Sequence, residues 1–365
     1  MTSHADELPF TLRELREAIP ARCFRPSTAR SLLHLGVDGA LLAGLYALSL
    51  ALGPGPWSVP IAVLQGTLFW ALFLVGHDCG HGAFSRRPGW NEWVGHLVHT
   101  PLLVPYHAWR LSHRSHHRHT QDADRDEAWP PLSRRALRAL PALSRFMRLR
   151  AFLLVFPLYL LRNGPGRAGS HFDPEGPLFA ESGRAGVRKS VTACVAMAAA
   201  LLGAGFVFGP GAVARHWLAP YTVFAVWVSL VTYLQHTAPD VPWYRGEGWS
   251  YLRGALATVD RRYGPFERLH HDVGSHAVHH LFPRIPHYRL REATRAVAPL
   301  LGPHHRVSRE PVLLALLRAA RRCQAIPETG ERVCYEPLSP ARAEVPAAAI
   351  FAAPPSGAGS SPATR

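Results

Sequence analysis

Four apolar runs, each about 20 residues long, constrain the fold of this chain more than any other feature. They cover residues 32–52, 58–77, 190–209 and 217–236, and Asp38 interrupts the first of them. A helix of about 20 apolar residues crosses a hydrocarbon core of roughly 30 Å, so the short breaks between neighbouring runs predict two transmembrane hairpins. The alternative is two pairs of buried helices in a soluble core, which the run lengths and the scarcity of charge disfavour.

The charges between the runs predict the orientation. The first short break has no lysine or arginine and the second has only Arg215, whereas residues 78–150 are rich in arginine. Because basic segments stay on the cytoplasmic side, residues 1–31, 78–189 and 237–365 are expected there. The fold class is therefore predicted as an all-α integral membrane protein. Four transmembrane helices in two hairpins would carry a cytoplasmic helical cap, with both termini in the cytoplasm and a bacterial inner membrane as the location.

Composition divides the rest of the chain. Residues 1–31 are a polar N-terminal segment, 32–300 the membrane domain and 301–336 a cytoplasmic extension. Residues 337–365, rich in proline, alanine and serine, are expected to be disordered. Residues 149–161 are apolar but short, which favours a helix lying at the membrane surface.

The net charge of +15 and the pI of about 10.4 would suit a nucleic-acid binder. However, Lys189 is the only lysine, and such an arginine bias is typical of a GC-rich genome. A nucleic-acid partner also leaves four apolar runs unexplained, so none is expected. The five cysteines have no regular spacing and do not indicate a disulfide scaffold.

Three histidine clusters carry the functional signal. They are HDCGH, HRSHH and HAVHH, which place histidines three or four residues apart, a spacing that puts imidazoles on one helix face. The histidines are His77, His81, His113, His116, His117, His276, His279 and His280. Eight such groups exceed the ligand capacity of one metal ion, so two metal ions are expected. His236, at the end of the fourth run, is an isolated histidine that spacing leaves open between a metal ligand and a capping residue.

The metal is best interpreted as iron. Zinc hydrolases usually have fewer protein ligands and a nearby carboxylate base. The ferritin-like arrangement of Glu and Glu-x-x-His is absent from the clusters. An almost pure histidine set beside long apolar helices favours redox chemistry on an apolar substrate.

These clusters resemble the three histidine boxes of the membrane fatty acid desaturases. Further stretches are similar to the methyl-end acyl-lipid branch, which holds the delta-12 and omega-3 enzymes. They are AIPARCF at 18–24, HDCGHGAFS at 77–85, VTYLQHTAPDVPWYRGEGWSYLRGALATVDRRYG at 231–264 and HHDVGSHAVHHLFPRIPHYRL at 270–290. The similarity covers roughly residues 8–300. The first box, the acidic DRDEAW after the second and the stretch after the third resemble the omega-3 subgroup more.

The resemblance implies a chemistry and its partners. It implies a di-iron centre with O₂ as co-substrate, and it adds His236, in YLQH, to the ligands. The reaction would remove two hydrogens from adjacent methylenes of a membrane acyl lipid, giving a cis double bond. Since the chain has no haem, flavin or iron–sulfur motif, a separate electron donor, ferredoxin in a bacterium, is expected.

The resemblance also has departures. His119 stands where family members often carry asparagine, and it is interpreted as a non-ligand. Thr232 stands where related acyl-CoA enzymes have an asparagine, which leaves a water-holding role open.

Four further side chains are candidates to orient the ligands. Asp78 and Asp272 could each accept a hydrogen bond from an imidazole, and His271 and Thr232 are the other two. Each carboxylate has a plain alternative as a helix cap or a solvated acid.

The acyl chain would need an apolar tunnel beside the metals. Phe69, Trp70 and Phe73 are candidate lining residues, although they could equally face lipid. Three alternatives stay open: delta-12 regiochemistry, a fatty acyl hydroxylase on the same scaffold, and a histidine-rich metal binder or transporter without catalysis. The sequence leaves the oligomeric state and the acyl carrier open.

Overall fold

The structure is a computed structural model that describes residues 8–128, 130–150, 153, 155–162 and 169–338. The described part is mostly helical. Its α-helices are α1 (Leu12–Ala18), α2 (Thr28–Leu52), α3 (Ser58–His81), α4 (Pro88–His99), α5 (Tyr106–Arg118), α6 (Arg134–Ala139), α7 (Ala142–Arg150), α8 (Val155–Leu161), α9 (Glu181–Phe208), α10 (Pro210–Val213), α11 (Ala219–His236), α12 (Tyr251–Leu256), α13 (His276–Leu281), α14 (His287–Leu301) and α15 (Val312–Arg322).

Four helical stretches are long and apolar enough to cross a membrane. They are α2, α3, α9 and the continuous stretch Pro210–His236. Each contains most of one predicted run, but α9 begins about two turns before its run, in polar sequence. The segment expected to link the last two runs is also helical, since α10 leads through a π-helical turn at Ala214–Leu218 into α11. The break is at Gly209, whose φ of 85° favours glycine.

Helix α3 is the centre of the helical bundle. In its most apolar stretch 72% of the residues are buried, against 11% in α2 and 6% in α9. Its main neighbours are α11, α4 and α2. The contact with α11 is close because a Cβ on Gly66 would collide with the carbonyl oxygen of Pro220 and the side chain of Val223. A small residue at this position allows the two backbones to approach.

The end of α3 is defined by local chemistry. Gly82 adopts the left-handed conformation with φ 71°, and its N–H caps the carbonyls of Asp78 and Cys79. The following loop is held by Asn91, which accepts from the Ser85 N–H at 3.1 Å and donates to the Ser85 carbonyl at 2.7 Å. Helix α3 therefore ends directly after the first histidine cluster.

Four strands of two residues each depart from the all-α prediction. Strand β1 (Trp243–Tyr244) pairs antiparallel with β4 (Arg332–Val333), and β2 (Asp260–Arg261) pairs in parallel with β3 (Val307–Ser308). Both pairings join sequence after α14 to sequence between α11 and α13. They attach the C-terminal extension to the histidine-bearing region, which helical periodicity does not reveal.

Two regional predictions fall partly outside the described residues. The expected surface helix at 149–161 contains the end of α7 and all of α8, while residues 151, 152 and 154 are outside the description. In the proposed tail, only Pro337 and Leu338 are described.

Candidate metal centre

The predicted ligand histidines converge into two groups. One ring nitrogen from each of five residues lies within 4.8 Å of the others in the first group, and three residues form the second in the same way. The first group is His77, His81, His113, His117 and His279, and the second is His116, His236 and His280. His276 adjoins the second group, since its Nε2 lies 2.9 Å from Nε2 of His236 and 3.0 Å from Nε2 of His280. Eight of the nine predicted histidines thus belong to the two groups, and the ninth, His276, adjoins the second.

Helix geometry divides the second histidine cluster between the two groups. At about 100° per residue, His117 lies about 40° around α5 from His113, whereas His116 lies about 60° to the other side. His113 and His117 accordingly join the first group, with their Nε2 atoms 3.1 Å apart, and His116 joins the second. The cluster on α13 divides likewise, His279 to the first group and His280 to the second. The spacing predicted shared faces, but the division between two sites required the structure.

Polar contacts fix the elements that carry these histidines. The carboxylate of Asp260 accepts from the backbone N–H of Ala277 at 2.8 Å, which holds the first turn of α13. Gln121 donates to the carbonyl of His236 at 3.2 Å and to that of Ala257 at 3.0 Å. Both polar side chains are buried, so these bonds form where water cannot replace them.

Two of the grouped rings are oriented by partners on their outer nitrogen. Nδ1 of His116 donates to Oδ1 of Asp126 at 2.7 Å, and Nδ1 of His280 lies 2.9 Å from Oγ1 of Thr120. Both contacts leave Nε2 for the centre. The sequence predicted neither contact, although Asp126 belongs to the acidic stretch DRDEAW that was noted after the second cluster.

Burial favours the neutral form of five of the grouped imidazoles. Burial lowers the pKa of His113, His117, His276, His279 and His280 well below the ordinary value, and neighbouring histidines lower it further. Burial acts against ionisation of Asp126, yet the adjoining His116 and the Gln121 N–H leave the pKa of Asp126 lowered. Neutral imidazole is the form that binds a metal.

The donor set fits transition-metal ions. Nε2 of His81 is buried without a hydrogen-bond partner. Nε2 of His276 faces Nε2 of both His236 and His280, and Nε2 of His117 faces that of His279. Where neighbouring rings meet, their nitrogens are about 3 Å apart, which is near the separation of two ligands on one metal with bonds of 2.0–2.1 Å. Nine imidazoles in and beside two groups suit two ions that accept nitrogen ligands.

The four predicted supporting residues have different surroundings. The carboxylate of Asp78 lies 3.9 Å from Nδ1 of His77, but its hydrogen bonds come from His287 instead. Asp272 pairs with Arg291 at 2.6 Å, so its observed partner is an arginine rather than a ligand ring. His271 bonds to Asp38 at 2.8 Å. Thr232 is half-buried one turn before His236 on α11.

His119, interpreted as a non-ligand, is in neither group. Its Nδ1 lies 3.1 Å from the carbonyl of Ser115 at the end of α5.

Buried aromatic rings of the bundle core lie against the first group. Trp109 stacks on His113, with ring centroids 4.5 Å apart, and meets Phe73 edge to face at 5.1 Å. Trp70 stacks against Phe73 and donates its indole N–H to Nδ1 of His270 at 2.8 Å. All three aromatic side chains are buried. The histidine site therefore borders an apolar interior.

Fold and site together define a class: helical proteins with four potential membrane spans and two converging histidine groups. Comparison with protein families identifies the class more specifically. The model of the fatty acid desaturase family matches residues 54–311, and the chain belongs to that family. It is accordingly an oxidoreductase.

Curated relatives cover nearly the same length. An sn-1 acyl-lipid omega-3 desaturase (ferredoxin) from Synechocystis is 46% identical over 91% of this chain and 92% of that protein. A protein of the same name from a Nostoc species is 42% identical over 90% and 92%. An acyl-lipid omega-3 desaturase (cytochrome b5) of the endoplasmic reticulum in Arabidopsis thaliana is 43% identical over 90% and 88%.

Proposed function

We propose that this protein is an omega-3 acyl-lipid desaturase that introduces a cis double bond near the methyl end of a membrane-lipid acyl chain. The observation that carries the proposal is the pair of histidine groups in a chain 42–46% identical to enzymes of that name. Alkyl C–H bonds are too weakly acidic for side-chain acid–base chemistry, so a metal centre has to supply the oxidising power.

The nine grouped histidines are proposed to hold two iron ions. His77, His81, His113, His117 and His279 would bind one, and His116, His236, His276 and His280 the other. When bound, the iron pair supplies activation of O₂ and oxidation of the substrate C–H bonds. The role of the protein is to hold the ligands and the acyl chain in position, where errors of about 1 Å are costly.

Asp126 and Thr120 hold the rings of His116 and His280 in position. Asp126 accepts a hydrogen bond from Nδ1 of His116. It also accepts hydrogen bonds from the backbone N–H groups of Gln121 and Ala128, which fix the position of its carboxylate. Thr120 donates to the His116 carbonyl and contacts His280, which couples two ligand rings. Outer contacts of this kind fix ring orientation and raise ligand basicity.

The acyl chain is proposed to approach along the aromatic side of the first group. Phe73 and Trp109 form a buried layer next to His113, and Phe69 and Trp70 extend that layer along α3. Such a layer excludes water from the reacting carbons while offering apolar contact to methylenes. These side chains are the candidates for determining which carbons of the acyl chain lie beside the metal site, and hence the double-bond position.

The proposed topology has two transmembrane hairpins beneath a cytoplasmic cap. His81 ends α3 and His236 ends α11, and both belong to the joint site, which supports placing those two helix ends on one side of the membrane. The arginine-rich connection after α3 supports the cytoplasmic side. Both termini then lie in the cytoplasm, at a bacterial inner membrane.

A separate ferredoxin is the proposed electron donor. Two cyanobacterial relatives carry ferredoxin in their names, and this chain has exposed arginines close in sequence to the grouped histidines. Arg114, Arg118 and Arg284 are exposed, and the pKa of Arg114 is lowered by its partial burial and by the charges of Arg110, Arg118 and Arg284. Such a cluster would steer an acidic donor to the site.

The test is acyl-chain profiling after expression in a host supplied with linoleate. Wild type and the control His119→Asn should add a double bond at the omega-3 position, whereas His116→Ala should add none. Supplying oleate in a parallel culture separates delta-12 activity, and a hydroxylated product without a new double bond would contradict desaturation. Unchanged lipids with wild-type protein that retains iron would favour a non-catalytic metal binder.

A further inference from the structure

Three histidines outside the two groups form a separate cluster. One ring nitrogen from each of His34, His271 and His287 lies within 4.8 Å of the others. The ring centroid of His287 is 4.3 Å from that of His271 and 4.8 Å from that of His34. His271 and His287 are buried, and His34 is half-buried. Rings this close around one point are in position to share an ion.

Two of these rings each form a hydrogen bond with a buried carboxylate. Nε2 of His271 donates to Oδ2 of Asp38 at 2.8 Å, and Nδ1 of His287 donates to Oδ2 of Asp78 at 2.8 Å. A ring that donates from one nitrogen keeps a lone pair on the other. Nε2 of His287 is buried and has no hydrogen-bond partner. The carboxylate–histidine pairing is the arrangement that orients imidazole ligands toward zinc.

We propose that His34, His271 and His287 bind one zinc ion, at a site separate from the two histidine groups described above. Three imidazoles with a fourth position for water form a tetrahedral set, and imidazole nitrogen is a preferred zinc ligand. The two aspartates supply negative charge that offsets the charge of the ion.

Another cluster outside the two groups is a weaker candidate for a metal site. It consists of Glu92, His96 and His107, which also approach within 4.8 Å of one another. However, the carboxylate of Glu92 forms an ion pair with Lys189 at 2.6 Å. A lysine ammonium there already neutralises the carboxylate and would repel a cation.

The zinc ion would join parts of the chain that are far apart in sequence. His34 lies on α2, the first potential span, whereas His271 precedes α13 and His287 begins α14. An ion bound only by the folded state stabilises that state. The site would thus fix the first potential span against the segment that carries the third histidine cluster.

The test compares metal content between matched aromatic variants. His34→Phe keeps a ring that can stack on Tyr288, where the centroids are 5.6 Å apart, but removes the ligand nitrogen. His304→Phe is the control, because His304 packs edge to face on Phe10 and belongs to none of the metal-binding clusters among the described residues. Full-length protein in detergent is equilibrated with zinc chloride, passed through a desalting column and analysed for zinc and iron by mass spectrometry.

Wild type and His304→Phe should retain about one zinc per chain more than His34→Phe, with equal iron in all three. A zinc chelator should lower the Tm of wild type but leave that of His34→Phe unchanged. Equal zinc in wild type and His34→Phe would overturn the site. Joint loss of zinc and iron would also overturn it, by showing that His34 supports the main centre.

A second variant protects the test against misfolding. His271→Gln retains an N–H that can donate to Asp38 while removing the imidazole. It should lose the same zinc as His34→Phe, and retention of that zinc would contradict the proposal. Desaturase activity is measured separately, so failure of the zinc site and failure of the proposed function are distinguishable.

Discussion

Three buried acidic residues each orient a histidine in or near the site. Asp38, Asp78 and Asp126 are all at least 96% buried, and each contacts a histidine nitrogen at 2.8 Å or less. An unpaired carboxylate at such positions would be strongly unfavourable, so each acid stabilises the fold only with its histidine in place. Sequence position next to a ligand did not identify these pairs. Asp78 adjoins His77 in the chain, yet it bonds to His287.

Asp126→Ala is expected to lower iron affinity or activity about 10- to 100-fold, because His116 loses the acceptor that orients its ring. Iron content after dialysis and acyl-chain profiling are the two measurements. Asp124→Ala is the matched control, since Asp124 is exposed and lies two residues away. Equal losses in the two variants would show that the effect does not come from the hydrogen bond to His116.

At the scale of elements, the decisive contact is that of α3 with α11. The two helices end in His81 and His236, so their packing sets the separation of two elements that contribute to the centre. Trp227 also donates to Oγ1 of Thr67 across this contact at 3.0 Å. The apolar runs predicted both helices but not their pairing, because an apolar surface has no directional preference among neighbours.

Gly66→Leu should prevent normal packing of α3 on α11, because the added side chain meets Pro220 and Val223. A cost of about 1–3 kcal/mol or more is expected from overpacking. Gly44→Leu on α2 is the control, since a Cβ added there meets no described atom within 4 Å outside its chain neighbours and the adjoining backbone of its own helix. The readout is the monodisperse yield and Tm in detergent. Similar behaviour of the two variants would contradict the importance of the close approach.

For the whole molecule, buried histidines make stability depend on pH. Burial lowers the pKa of His171 to about 4 and that of His99 to about 3. Each folded pKa lies below the unfolded value near 6.5. The stabilisation is therefore complete above about pH 6.5 and is lost as the pH falls toward the folded value.

His171→Phe should reduce this acid sensitivity, since phenylalanine cannot take up a proton. Relative to its own stability at pH 7.5, wild type should lose about 2 kcal/mol more than the variant at pH 5. Thermal unfolding of both proteins at the two pH values is the measurement, with His119→Asn as the control. Parallel pH profiles would show that His171 is not a source of the acid lability.

The charge of the whole molecule suggests how the donor is recruited. Reversing two exposed arginines, in the double variant Arg118→Glu and Arg284→Glu, should raise the KM for ferredoxin and weaken its salt dependence. The kcat at saturating donor should change little. Arg13→Glu, a charge reversal on α1, is the control. A fall in kcat with an unchanged KM would place these arginines in the reaction rather than in docking.

The sequence alone determined the four apolar helices, the nine histidines and the family resemblance. Periodicity, length and spacing are local properties that can be read along the chain. Several features were decided only by the tertiary structure: the division of each HxxHH pattern between two groups, the partnering of Asp126 with His116, and the short strands that attach the C-terminal extension. The cluster of His34, His271 and His287 belongs with them, because its members lie on three segments with no local pattern in common. Contacts of this kind depend on which surfaces pack together, and the free energy of that packing is shared by the whole chain.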